Sequence, residues 1–289
     1  MKIKILIPVY NDWQSVFKLL ENINYEISNL GHEFSVIIVN DVSTESRPEL
    51  SNSLDNLNSI KIINMRENRG HARCNATGLK HIFENEEFDY VIPMDGDGED
   101  RPEEIKQLVD NLNYHPDKPI VGERIKRSEG IFFKLCYFIH KLITYTFTGQ
   151  SIKFGNYSCL PKSIVERMIN EKATWSSFSG ALTKVSKDRA TIPSERGSRY
   201  FGPSKMSFKN LAIHSLAIIS VFKFNVLVRS IFFLIIYMFL IHQKISIIML
   251  IPFPLIILLV VLVFFTSKRE SLEEMKDSFS NILNIDNIK

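Results

Sequence analysis

Apolar positions fall into short β-branched runs over the first 125 residues. KIKILIPV (2–9), FSVIIVN (34–40), IKIIN (60–64), YVIPM (90–94) and KPIVG (118–122) have the length and composition of strands. Between them, residues 13–27, a segment after Pro48, residues 71–85 and residues 102–112 carry helical spacing. This β-α-β-α order predicts an α/β domain: a mostly parallel sheet with helices on both faces and ligand chemistry at the carboxyl ends of the strands. The polar residues at those ends are Tyr10-Asn11-Asp12, Asn40-Asp41 and Asp95-Gly96-Asp97.

The pattern changes after residue 125. Residues 131–148 hold seven aromatic rings, counting His140, with Lys134 and Lys141 among them. That predicts an amphipathic helix at a membrane interface, and residues 207–222 form a second candidate. Two long apolar runs follow, Val226–Ile241 and Ile245–Phe265, separated by His242-Gln243-Lys244. A spanning helix needs roughly 20 apolar residues, so the runs predict a two-helix transmembrane hairpin. Arg229 is expected to snorkel, and Pro252 and Pro254 to kink the second span. Basic residues flank the hairpin (Lys209, Lys223, Arg229, Lys268, Arg269), which predicts cytoplasmic placement of both flanks and a multi-pass protein of the cytoplasmic membrane. The opening MKIKILIPVYND is expected not to act as a signal peptide, because Lys4 interrupts a short apolar run. The expected divisions are a catalytic domain over 1–206, a juxtamembrane helix over 207–222, the hairpin over 223–265 and a tail over 266–289 read as a short amphipathic helix.

Composition narrows the partners. Apolar residues make up 45% and charged residues 23% of 289, which excludes a disordered or collagenous chain. Thirty-five Lys+Arg against 32 Asp+Glu leave +3, too little to imply nucleic-acid binding. The three cysteines follow no disulfide or zinc spacing. A mean hydropathy of zero averages a polar N-terminal part with the apolar hairpin.

The strongest local chemistry lies in MDGDGEDRPEEI (94–105). Asp95, Asp97 and Glu99 alternate between an apolar strand and a helix opened by Pro102, and carboxylates so close call for a cation. Hard ions such as Mg²⁺ or Mn²⁺ take carboxylate and phosphate oxygens. An EF-hand loop is excluded, since Asp100 and Lys106 stand where Gly and Glu are required. Asp41 could accept from a nucleobase N–H or serve as turn chemistry. The run RENRGHARCNATGL (66–79) places Arg69 and Arg73 near a helix N-terminus suited to an anion. GERIKR (122–127) and ERGSRYFGPSKMS (195–207) supply basic clusters that suit phosphate or anionic lipid.

Together, IPVYND, VNDVSTES, ENRGHARCNATGL, MDGDGEDRPEE, VGERIKR and RYFGPSK followed by an apolar hairpin resemble family 2 glycosyltransferases of the GT-A (Rossmann-like) fold. Within them the chain is most similar to membrane-anchored polyprenyl-phosphate glycosyltransferases of the dolichyl-phosphate mannose synthase type. The resemblance covers about residues 3 to 265. It implies metal-dependent, inverting transfer of a sugar from a nucleoside-diphosphate sugar to a polyprenyl phosphate. By the same resemblance Pro8, Tyr10, Asp12 and Asp41 hold the nucleotide, with Asp95 beside them. Asp95, Asp97 and Glu99 bind Mg²⁺ or Mn²⁺. Asp97, Arg124, Arg199 and Lys205 form the catalytic clamp, and Arg127, Asn156 and Ser204 face the acceptor phosphate. A homo-oligomer packed through the membrane helices is compatible with this reading.

Two positions depart from the family pattern. Asn40 precedes Asp41 where many relatives have two acids. Asn156, in FGNYSCL (154–160), stands where relatives often have an Asp. An amide takes no proton, but a phosphate acceptor is already largely ionised near neutrality and needs no base. Two further readings stay open at this point: transfer to a saccharide or lipid-linked glycan, and a catalytically silent nucleotide-binding assembly partner. A processive synthase is disfavoured because no Gln-x-x-Arg-Trp motif exists.

Overall fold

The computed structural model describes residues 1–49, 53–126, 131–203 and 208–289. These fall into two compact units. The first comprises Met1–Ser128, Lys153–Lys205 and Ser271–Lys289; the second comprises Glu129–Ile152 and Met206–Glu270.

The first unit is the expected α/β domain. Its strands are β1 (Lys2–Val9), β2 (Glu33–Asn40), β3 (Leu57–Met65), β4 (Tyr90–Pro93), β5 (Ile120–Lys126), β6 (Ser158–Pro161), β7 (Ala190–Glu195) and β8 (Ile282–Asn287). They form one sheet in the order β7-β5-β6-β4-β1-β2-β3-β8. β1 pairs in parallel with β2 and β4, β2 with β3, and β5 with β7, while β6 and β8 run antiparallel to their neighbours. The helices are α1 (Trp13–Glu26), α2 (His71–Asn85), α3 (Ile105–Asp110), α5 (Lys162–Ile169), α6 (Phe178–Val185) and α11 (Leu272–Lys276).

β1 is buried from Ile3 through Val9, as a strand covered on both faces must be. Ile3, Ile5 and Ile7 join one core with Val16, Leu19, Leu20 and Ile23 of α1 and with Ile105, Leu108 and Val109 of α3. Leu6 points to the other face, where a Cβ on Gly78 of α2 would lie 2.3 Å from its Cδ1. Each such Ile or Leu contributes about 1.5–3 kcal/mol of burial.

Two sequence expectations change. No helix follows Pro48 among the described residues, and residues 50–52 lie outside them. The stretch carries Leu50, Leu54 and Leu57 at helical spacing, but Leu54 and Leu57 are buried where the chain leads into β3, and its Ser, Asn and Asp side chains compete with helix. The tail over 266–289 is more than a short helix: after α11 it forms β8, antiparallel to β3 with Asn64 opposite Asn284. As an edge strand it stays largely exposed, Leu283 and Ile285 included, and is held by its backbone pairing with β3.

The second unit is helical, with α4 (Ile131–Thr148), α7 (Phe208–Ser220), α8 (Lys223–Ile241), α9 (Ile247–Leu250) and α10 (Pro252–Ser267). Two helices here are long and apolar enough to cross a membrane, with mean hydropathy 2.3 and 3.2. Between α9 and α10 the helix ladder is interrupted, since Pro252 cannot donate to it, while Ile251 keeps helical φ −54° and ψ −40°. On α4, Phe138, Ile139, Leu142 and Tyr145 are exposed. Arg229, expected to snorkel, donates to the Thr146 carbonyl at 3.2 Å, and Asn225 donates to that of Thr148 at 3.1 Å. The last turn of α4 has carbonyls without intrahelical partners, and these two side chains satisfy them.

Candidate active site

The chain runs from β1 to β2 to β3 toward one edge and then sets β4 on the opposite side of β1. At that reversal the loops after β1 and β4 part, leaving a crevice beyond the carboxyl ends of the strands. β1 delivers Tyr10, 47% exposed, and Asp12, whose Oδ1 accepts from Ser15 Oγ at 2.6 Å as α1 begins. β4 delivers the acidic loop, residues 95–100.

That loop is closed by its own side chains. The Asp95 N–H donates to Asp100 Oδ2 at 2.9 Å, and the Glu99 N–H to Asp97 Oδ1 at 3.0 Å. Gly98 has φ 87°, and a Cβ there would lie 2.5 Å from the Tyr200 ring. Only glycine meets both conditions. The segment after β7 lies along the loop: the Tyr200 N–H donates to the Asp97 carbonyl at 3.0 Å and the Gly197 N–H to that of Glu99 at 2.9 Å. Two arginines of this segment neutralise the acids. Arg199 bridges Asp12 and Asp97, and Arg196 pairs with Glu99. The acids at the ends of β1 and β4 thus share one guanidinium.

Burial and mutual repulsion set the protonation of these groups. Burial alone pushes the Asp95 carboxyl up, but His71, Arg124, the Asn156 amide and Arg196 together bring it below its ordinary value. Asp97 is raised to about 6, first by burial and then by the charge of Asp95, against Arg199 and Arg196. Asp100 is raised to about 8 by burial and Asp95, although Arg124 opposes it. Burial is the first cause of both upward shifts and the charge of Asp95 the second.

Asn156 sits in the crevice. Its Nδ2 donates to Asp95 Oδ1 at 3.1 Å and lies 2.6 Å from His71 Nε2, which is itself 3.3 Å from Asp95 Oδ1. His71 is the first residue of α2, so the helix start carries the imidazole over the end of β4. Arg124, on β5, faces Asp100 with Nη2 3.7 Å from Oδ1.

Asp41 has a structural task at the end of β2. It is 4% exposed, and its oxygens accept from the backbone N–H groups of Arg69 and Gly70, each at 2.8 Å. It clamps the turn that starts α2. Pro8 is buried within β1 opposite Val39.

The structure thus brings Asp12, Asp95, Asp97, Arg199 and Asn156 into one crevice with Tyr10 at its rim. Glu99 is held by Arg196, Arg124 faces Asp100, and Asp41 and Pro8 sit behind the lining. Among the described residues, no group of three or more His, Cys, Asp or Glu side chains converges as a metal-ligand set. Arg127, Ser204 and Lys205 lie outside the described residues. Sequence reasoning missed His71, Asp100 and Tyr200. His71 carried a faint signal, a polar ring at the first helical position after a glycine turn, whereas Tyr200 is tied to the loop only by tertiary packing.

Residues 4–165 match the family described as Glycosyl transferase family 2. The undecaprenyl-phosphate 4-deoxy-4-formamido-L-arabinose transferase of Salmonella paratyphi B is 30% identical over 220 residues, covering 73% of this chain and 64% of that protein. The same transferase of Salmonella newport matches to the same extent. The chain thus spans under two thirds of the length of these curated relatives. S. aureus TarS in complex with UDP-GlcNAc superposes with a TM-score of 0.52 at 14% identity, over 97% of this chain and 92% of that one. Glucosyl-3-phosphoglycerate synthase from Mycobacterium tuberculosis, with Mn²⁺, UDP-glucose and phosphoglyceric acid, gives 0.55 at 12% identity, over 79% of each chain. These two likenesses bear on the fold alone.

Proposed function

The chain belongs to glycosyl transferase family 2, and from that premise we propose that it transfers a sugar, with inversion, from a nucleoside-diphosphate sugar to a polyprenyl phosphate at a membrane. The observation that carries this reading is the Asp12–Arg199–Asp97 bridge across the switch point of the sheet. A diphosphate entering there offers the guanidinium a bidentate partner and leaves both acids free for other contacts. Tyr10 and Asp12 line the nucleoside side, with Asp41 fixing the loop behind them.

The donor set suits a hard divalent cation. Asp95 and Asp97 offer carboxylate oxygens from one short loop, and the charge of Asp95 is, after burial, the second cause that raises Asp97, a repulsion a cation between them would relieve. Asp95 and Asp97 would hold Mg²⁺ or Mn²⁺, joined by Glu99 once Arg196 releases it. Such an ion would neutralise charge on the departing diphosphate.

The chain's own groups do the rest. Arg199, freed from its two acids, meets the diphosphate oxygens, and we assign Lys205 to the same charge. Arg124, beside Asp100, offsets the charge of Asp95 and so steadies the loop. A phosphate-monoester oxygen attacks the anomeric carbon while the bond from that carbon to the diphosphate oxygen breaks, inverting the centre. The nucleophile is an anion already, so no residue need remove a proton. Asn156 fits this chemistry: it donates to Asp95 and adds no charge near the incoming phosphate. Arg127 and Ser204 are assigned to that phosphate.

The name of the Salmonella relatives supports undecaprenyl phosphate as the carrier. The division of the chain supports a hairpin, since Ser271–Lys289 rejoin the sheet unit after both apolar helices. Two crossings return a chain to the side it left. The basic flanks support a cytoplasmic catalytic unit, and the exposed Phe138 and Tyr145 of α4 support that helix at the membrane surface.

One observation favours a second reading. His71 Nε2 stands 3.3 Å from Asp95 Oδ1, and an imidazole there could take the proton of a hydroxyl acceptor. A single experiment separates the two. Purified protein in detergent is given Mn²⁺ or Mg²⁺ and a panel of UDP- and GDP-sugars, with undecaprenyl phosphate or with hydroxyl acceptors, and nucleoside diphosphate release is followed. Release that requires both the metal and the lipid phosphate supports the first reading. Release driven by hydroxyl acceptors, or none with any acceptor, overturns it.

A further inference from the structure

The second loop of the crevice, residues 41–45, is tied to the last strand of the chain by a row of side-chain amides. Asn40, Asn64 and Asn284 occupy facing positions on β2, β3 and β8. The Ser43 N–H donates to Asn40 Oδ1 at 3.0 Å, and Asn40 Nδ2 donates to Asn64 Oδ1 at 2.9 Å. Asn64 Nδ2 donates in turn to Asp286 Oδ2 at 3.1 Å and to Asn284 Oδ1 at 2.7 Å. Both ends of this row are fixed in polarity. A backbone N–H can only donate and a carboxylate can only accept, so each amide between them must present its oxygen toward Ser43 and its nitrogen toward Asp286.

The row continues into the crevice. Ser43 Oγ accepts from the Asn11 N–H at 2.9 Å, and Asn11 Oδ1 accepts from the N–H groups of Thr44 and Glu45 at 2.7 and 3.2 Å. Asn11 adjoins Tyr10 and Asp12. Two non-glycine residues here adopt left-handed backbone, Asn11 at φ 50° and Val42 at φ 62°. For a β-branched residue that conformation is costly and persists only where surrounding contacts impose it. The amide row and the Asn11 clasp are those contacts.

We propose that Asn40 and Asn64 are positioning residues through which the C-terminal strand β8 holds the loop 41–45 in its donor-binding form. This rests on the reading of the crevice as a nucleoside-diphosphate-sugar site. It makes β8, which follows the apolar hairpin in sequence, part of what sets donor affinity. It also explains why an amide is needed at position 40. A carboxylate there accepts from Ser43 but has no proton for Asn64 Oδ1, whose own orientation is dictated by Asp286.

The test uses the full chain in detergent, with UDP and GDP as binding probes and amide hydrogen exchange across residues 41–47. Asn40→Asp should weaken nucleotide binding by about three- to tenfold, the range lost with one or two hydrogen bonds. It should also speed exchange in that segment and raise the donor KM more than it lowers kcat. Asp286→Asn alone keeps an acceptor for Asn64 but loses the ion pair with Arg47, so its effect should be smaller and should fall on Arg47 rather than on residues 41–45. The double variant N40D/D286N lets the Asn64 and Asn284 amides turn over together: the Asn64 nitrogen donates to the carboxylate at position 40, and its oxygen accepts from the amides at positions 284 and 286. Recovery of both slow exchange and affinity is expected. Asn64→Ala, which adds no charge, should act in the same direction as N40D if that variant folds poorly. Unchanged exchange in N40D and in N64A would overturn the relay. Wild-type protein that binds neither nucleotide would overturn the donor-site reading instead, with exchange still deciding whether the relay holds the loop.

Discussion

The two loops that build the crevice are held by opposite kinds of force. The loop after β4 is held by charge: Asp97 and Asp12 share Arg199, and Glu99 takes Arg196. The loop after β2 is held by neutral amides and backbone N–H groups, through Asn40, Ser43 and Asn11. Charge pairs exchange partners when a stronger ion arrives, whereas a satisfied amide has nothing to gain from one. One side of the crevice is therefore built to open for a charged ligand, and the other to stay in place for an uncharged part of it.

Breaking the charged side should cost most. Asp97→Asn removes the carboxylate that faces both Arg199 and the proposed cation, and turnover should fall by about 10³-fold. Nucleoside diphosphate release with lipid phosphate measures it, and a loss below tenfold would remove Asp97 from the reaction. Arg199→Ala should lower turnover by about 10²-fold. Because Arg199 competes for Asp97, the same variant should bind Mn²⁺ more tightly, a change of opposite sign that titration of the metal reads directly. Weaker metal binding would contradict the shared-partner picture.

The loop's backbone comes next. Gly98→Ala meets both a positive φ and the Tyr200 ring, so a loss of about 1–3 kcal/mol in stability is expected from denaturant unfolding, with Tyr200→Ala easing part of it. The smallest effect lies at the opposite end of the sheet, where Glu86 receives Lys4 Nζ at 2.8 Å and Lys61 Nζ at 2.6 Å. Burial pushes its carboxyl up, but the hydrogen bonds from Lys4 and Lys61 outweigh that and leave it below its ordinary 4.5. A depressed carboxyl stabilises fully above that value, and the contribution disappears as pH falls through the folded-state pKa. Glu86→Gln should cost about 1–2 kcal/mol at neutral pH, shrinking in acid. A gap independent of pH down to about 3 would show that the lysines act by packing alone.

The comparison also governs how the membrane part is tested. Cutting the chain before α8 removes β8 with the hairpin, so loss of donor binding in such a truncation would report on the amide row and say nothing of lipid. Excision of the hairpin alone, with residues 271–289 rejoined, is the cleaner experiment.

Much of this was legible in the residues. Five strands and three of the four helices anticipated in the first 125 residues appear where periodicity placed them, because a strand buried on both faces leaves an unbroken apolar run. The fold is the GT-A arrangement that the motifs implied, and the acids at the ends of β1 and β4 could be named because strand ends are fixed by the same periodicity. The two apolar helices followed from length alone.

Pairing was not legible. ILNIDN carries too little pattern to announce an edge strand, and its partner β3 lies more than 200 residues away in sequence. The helix expected after Pro48 falls partly on residues 50–52, outside the described ones, and its apolar positions Leu54 and Leu57 are buried where the chain enters β3. Asn40 and Asn156 stood out in the sequence only as departures from a pattern. Tertiary structure gave them partners: Asn40 the oxygen of Asn64, Asn156 the carboxylate of Asp95. Local sequence determines which elements form and what their ends carry, since those depend on near neighbours along the chain. Which polar group meets which, and so whether an amide or an acid belongs at a position, depends on contacts that exist only once distant segments have packed.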